Sequence, residues 1–120
     1  MKNTIKTLML LLVAAVSISF TYSPQKANTT VNFKVFGSCE ICKERIEIAL
    51  DVPGVKKAIW DVSSQMVTVT YNSKKLEVKQ LYNLVAIAGH DTEIVKASEQ
   101  AYADLPECCQ YRSGAKCTGH

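Results

Sequence analysis

The chain has 120 residues, 48% of them hydrophobic, with 14 basic against 11 acidic side chains. That length supports one small domain with a single core and no second one. Two of the basic residues, Lys2 and Lys6, belong to an N-terminal targeting segment; without them 12 face 11, a balance of about +1 that indicates no nucleic-acid partner.

That segment comes first in chain order. Lys2 and Lys6 precede an apolar run from Leu8 to Val16, and the small and polar Ser17, Ser19, Thr21 and Ser23 follow it. A charged start, an apolar stretch and small residues are the pattern of a secretory signal peptide, here residues 1–23, with cleavage expected between Ser19 and Ala27. An uncleaved membrane anchor is the competing reading. The run is short for a bilayer, and no Cys stands there to take a lipid. The mature protein is expected to be soluble and exported, in a Gram-negative cell to the periplasm.

Val31, Phe33 and Val35 then alternate with Asn32, Lys34 and Phe36, which predicts a strand ending at Gly37-Ser38. Cys42, Ile46, Ala49 and Leu50 recur at helical spacing until Pro53-Gly54 stops the helix. Glu40, Lys43, Glu44 and Glu47 read as its solvated face. Ala58, Trp60 and Val62 alternate, Ser63-Ser64 punctuates, and Val67, Val69 and Tyr71 alternate again, which predicts a hairpin with Trp60 and Tyr71 in or near the core. A second helix is expected from about Leu76, with Val78, Leu81, Val85 and Ala88 on one face and Gly89 as its stop. Thr92 to Ala97 is short and β-branched, as a last strand would be. The order βαββαβ is the split ferredoxin-like arrangement, two helices on one face of a four-stranded antiparallel sheet.

Cys39-Glu40-Ile41-Cys42 falls where the first strand gives way to the first helix. Side chains three apart there lie on one face, about 5–6 Å apart at Cβ. Two sulfurs can then converge on one ion at metal–sulfur distances of about 2.3 Å. The helix N-terminus favours thiolate over thiol.

Placed in this order of elements, several residues resemble the heavy-metal-associated domain, the family of copper chaperones, metal-pump N-terminal domains and periplasmic mercury-binding proteins. Cys39-x-x-Cys42 is similar to its ligand pair. Ile46, Ala49 and Leu50 are similar to its first-helix core, Pro53-Gly54-Val55 to its turn into strand two, and residues 67–71 to strand three. The resemblance covers residues 31–97 and implies a carrier of a soft ion, Cu(I) favoured and Hg(II) the close competitor. Its implied partner is a metal-transporting membrane protein or another thiol carrier. Two features depart from the family. Its loop commonly reads Gly-Met-x-Cys-x-x-Cys, whereas Phe36-Gly37-Ser38 precedes Cys39 here, without the methionine. His90 stands where an aromatic or lysine is usual, close to the ion, so the resemblance implies a third ligand or a proton-dependent neighbour; the competing expectation is a partly exposed loop histidine.

Residues 98–120 have no counterpart in that family. Cys108, Cys109, Cys117 and His120 lie within this polar tail, as an accessory metal site or as a disulfide of Cys109 or Cys108 with Cys117. Five cysteines are an odd number for an oxidising compartment, so at least one is free, shared or metal-bound. Two other classes of function compete with the carrier: a thiol–disulfide enzyme acting through Cys39 and Cys42, and a docking domain in which those two form a structural disulfide. The intervening Glu40-Ile41 and the βαββαβ order count against the enzyme, and no paired carboxylates or phosphate loop point to another.

Overall fold

The computed structural model describes residues 27–114; the targeting segment, Cys117 and His120 lie outside them. Strand β1 (Asn28–Lys34) leads through a loop into helix α1 (Glu40–Ala49). The hairpin β2 (Val55–Trp60) and β3 (Met66–Asn72) follows, then α2 (Val78–Ile87) and a short α3 (Glu99–Ala103). Two 3-10 turns, Glu107–Cys109 and Tyr111–Ser113, complete the described chain.

The sheet order is β1-β3-β2, antiparallel throughout. Val67 and Val69 at its centre face Phe33 and Val31 on one side and Trp60 and Ala58 on the other. Since side chains alternate between faces, this register gathers Phe33, Val35, Trp60, Val67, Val69 and Tyr71 on one side of the sheet. Helices α1, through Cys42, Ile46 and Leu50, and α2, through Leu81 and Val85, close that side. The fold is ferredoxin-like, as expected.

Among the described residues the sheet has three strands rather than four. Thr92 to Ala97 makes one isolated bridge, Val35 with Thr92. Its backbone groups go elsewhere: the Thr92 hydroxyl accepts from the amides of Ile94 and Val95, the Asp91 carboxylate accepts from the Ala97 amide, and Arg112 donates to the Ala97 carbonyl. A ladder needs those same donors and acceptors, so the side chains have displaced the strand.

Helix α2 begins two residues later than its apolar pattern suggests, because Glu77 and Gln80 form a reciprocal capping box. The face assigned to solvent on α1 is only partly so. Glu40 and Glu44 are exposed, but Lys43 and Glu47 pair with each other and reach β2, Lys43 Nζ donating to the Trp60 carbonyl (2.9 Å) and Glu47 accepting from the Trp60 amide (3.1 Å).

The C-terminal segment is part of the core. Leu105 and Cys109 are buried in the same cluster as the sheet and helices, with Tyr102 and Tyr111 packed against it. Gly89, at φ +103°, makes room for them: a Cβ there would meet the Ala101 carbonyl oxygen at 2.7 Å and Leu105 at 2.9 Å. Both the backbone angle and the space exclude a side chain.

Candidate metal centre

Cys39 is the N-cap of α1, extended in backbone, and its carbonyl accepts the first helical bond from the Lys43 amide. Cys42, one turn on, is wholly buried. The loop bringing the chain to this point lacks the family's methionine, and polar anchors hold it instead. Trp60 Nε1 donates to the Val35 carbonyl (2.9 Å), His90 Nδ1 to the Phe36 carbonyl (2.8 Å) and Gln65 Nε2 to the Gly37 carbonyl. Gly37 is pressed between Cys42 and Trp60, where a Cβ would lie 3.0 Å from each. Glycine here lets the loop sit directly on the indole.

The sulfurs of Cys39, Cys42 and Cys109 lie within 4.8 Å of one another, the one group of three or more metal-binding side chains among the described residues. Cys109 arrives from the tail, 67 positions from Cys42; the spacing around Cys108-Cys109 carries no sign of this, and the sequence leaves Cys109 to an accessory metal site or a tail disulfide. Cys42 is a thiol, so no Cys39–Cys42 disulfide forms. Neither Cys108 nor Cys109 is in a disulfide, which corrects the expected tail bridge. Cys39 is disulfide-bonded, its partner outside the described residues. Capture of an ion by all three sulfurs therefore requires reduction.

Burial resists charge on Cys42, but hydrogen bonding with the Ser38 side chain, the Cys109 thiol and the backbone amides of Ser38 and Cys39 outweighs it and lowers its pKa. Burial, and then Cys42 itself, raise that of Cys109. Such a pair shares its proton unequally: Cys42 is the readier thiolate and Cys109 the donor. Ser38 lies at the centre of the arrangement, 3.4 Å from Cys42 Sγ through both its amide and its hydroxyl, and donates to the Cys108 carbonyl at 2.8 Å.

His90 is fully buried, which corrects the expectation of partial exposure. A carbonyl can only accept, so Nδ1 carries the proton toward Phe36, and Nε2 is buried with no hydrogen-bond partner. Burial lowers the pKa of the ring against the Phe36 bond, keeping it neutral. His90 does not belong to the sulfur group. Its ring is stacked on Tyr111 (centroids 5.6 Å apart, 18° between planes), and Tyr111 meets Tyr102 edge-on at 5.3 Å. The Arg112 guanidinium lies 4.2 Å over the Tyr102 ring. His90 is the platform on which the tail is laid.

No protein-family model and no curated protein matches the chain. Solved structures do. A CopZ metallochaperone is 30% identical, with a TM-score of 0.52, over 53% of this chain and 98% of the other. The chain is a heavy-metal-associated domain protein. Oxidised MerP from Ralstonia metallidurans CH34 is similar at 29% identity and TM-score 0.53, over 56% of this chain and 96% of that one. The N-terminal domain of a potential copper-translocating P-type ATPase from Bacillus subtilis, in its Cu(I)-loaded state, is 31% identical at TM-score 0.52, over 54% and 84%. Nearly the whole of the first two structures corresponds to little more than half of this chain, so much of it lies outside the shared heavy-metal-associated domain.

Proposed function

We propose that this heavy-metal-associated domain protein is an exported carrier, not an enzyme. It takes up a thiophilic ion, Cu(I) or Hg(II), at Cys39 and Cys42 and hands it by thiol ligand exchange to a metal-transporting membrane protein or another thiol carrier. The observation that carries this reading is a pair of cysteines one helical turn apart at the start of α1, in a fold shared with a metallochaperone and with MerP. Soft thiolates select soft ions over Mg(II) or Ca(II). An ion held by few sulfurs leaves positions for an incoming thiolate, so transfer can go through shared ligands without releasing the ion to water. Export rests on residues 1–23.

Replacement of Cys39 or Cys42 by Ser in the reduced protein is expected to weaken one-to-one binding of Cu(I) or Hg(II) sharply, read by titration against a chromophoric chelator. Serine is nearly isosteric and a far poorer ligand for a soft ion. Undiminished binding by both variants would remove the assignment. Expressed with its own N-terminus in a Gram-negative host, the chain should be recovered outside the cytoplasm starting between Ser19 and Ala27; an intact Met1 form in the inner membrane would establish the anchor instead.

A further inference from the structure

A two-thiol clamp has no need of a third sulfur, yet the tail delivers one. Cys109 is wholly buried at the end of a 3-10 turn, its sulfur within 4.8 Å of those of both Cys39 and Cys42. Its place is fixed from either side. On the near side the Ser38 hydroxyl binds the Cys108 carbonyl. On the far side the Tyr111 hydroxyl donates to the Gly89 carbonyl (3.1 Å) and accepts from the Asp91 amide (2.8 Å). Arg112 follows, gripping Asp91 with two nitrogens at 2.8 and 3.1 Å, the planar geometry in which guanidinium holds a carboxylate best.

We propose that Cys109 is the third ligand of the ion, so that the cargo is held by three thiolates beneath the folded tail, and that the site suits a thiophilic ion of charge +2 or more, of the Hg(II) class, better than Cu(I). This rests on the assignment of Cys39 and Cys42 above. An ion at about 2.3 Å from each of three sulfurs in a plane needs them about 4 Å apart, so atoms already within 4.8 Å close on it with small shifts. The group contains no carboxylate or imidazole, the donor set that soft ions accept and hard ones reject. Charge then discriminates among soft ions. Three thiolates leave a net −2 around Cu(I) and −1 around Hg(II), and with Cys42 and Cys109 wholly buried that difference is felt in a poorly solvated place. The cost of burying a charge rises with its square, so the doubly charged complex costs about four times the singly charged one.

X-ray absorption on the reduced protein carrying one equivalent of Hg(II) counts the sulfur neighbours directly. Three are expected in the unaltered protein and in the double variant Cys108→Ser/Cys117→Ser, and two in Cys109→Ser. Three in Cys109→Ser, or two in the unaltered protein, would overturn the proposal while leaving the Cys39–Cys42 clamp standing. Should Cys109→Ser fail to fold, the double variant decides alone: three sulfurs there can only include Cys109, and two exclude it. The same variants loaded with Cu(I) test the charge argument. Cys109→Ser should weaken Hg(II) retention more than Cu(I) retention, and equal losses would refute the preference. Undiminished Hg(II) binding in both Cys39→Ser and Cys42→Ser would be a failure of the clamp itself, a separate result.

Discussion

Truncation after Ala97 is expected to cripple the domain, although the truncated chain would still span the whole of the heavy-metal-associated resemblance. Leu105 is 4% exposed and Cys109 fully buried in the common core. Loss of a buried leucine side chain alone costs about 2–5 kcal/mol, against a total of about 5–15 kcal/mol for an ordinary domain. Truncation also uncovers His90, whose unpartnered Nε2 is buried, its ring stacked on Tyr111, and strips Asp91 of the Arg112 guanidinium and the Tyr111 hydroxyl, which with the Ala97 amide outweigh burial and hold its carboxyl below the usual range. Thermal unfolding followed by circular dichroism should show Leu105→Ala melting about 10 °C or more below the unaltered protein, at 4–8 °C per kcal/mol for a domain of this size. The truncated form should lack a cooperative transition or melt lower still. A truncated form with an unchanged melting temperature would make the tail a passenger.

What the sequence conveyed and what it concealed divide along the range of the interactions. Val31, Phe33 and Val35, or Val67, Val69 and Tyr71, announce strands because a period of two is written within a few residues. Cys39-x-x-Cys42 beside a helical pattern is equally local, and so are Pro53-Gly54 and Gly89. The tail has no such period. Leu105 is buried from the link between α3 and the first 3-10 turn, and Cys109 from the end of that turn, elements too short to display an amphipathic face. Their burial depends on Gly89 leaving room and on Arg112 meeting Asp91 across 21 positions. The missing fourth strand has the same origin. Thr92 to Ala97 has the composition of a strand, but Thr92, Asp91 and the distant Arg112 take its backbone groups first. The resemblance implies a neighbour of the ion at His90 and the local sequence a partly exposed loop histidine; the ring is buried under Tyr111, a contact no pattern around position 90 could disclose. Tertiary partners overrode local preference in each case.

The ion loop itself depends on Trp60, and replacing that residue is expected to have the largest effect of any single substitution in the sheet. Its side chain is fully buried, its indole nitrogen donates to the Val35 carbonyl at 2.9 Å, and its ring lies directly under Gly37. Trp60→Ala removes the ring and leaves a cavity, a change that costs about 3–5 kcal/mol. Trp60→Phe keeps most of the apolar surface but leaves the Val35 carbonyl without that donor, at a cost of about 1–3 kcal/mol. Chemical denaturation should rank the proteins unaltered, Trp60→Phe, Trp60→Ala in falling stability. Ion retention by the reduced proteins should fall in the same order, because Gly37 sits against both Trp60 and Cys42 and a loop without its floor holds Cys39 and Cys42 less closely in register. The two readouts separate support from mere stability: retention in Trp60→Ala as tight as in the unaltered protein, measured where both are fully folded, would show that the cysteines are positioned by α1 alone and that the indole serves only the core.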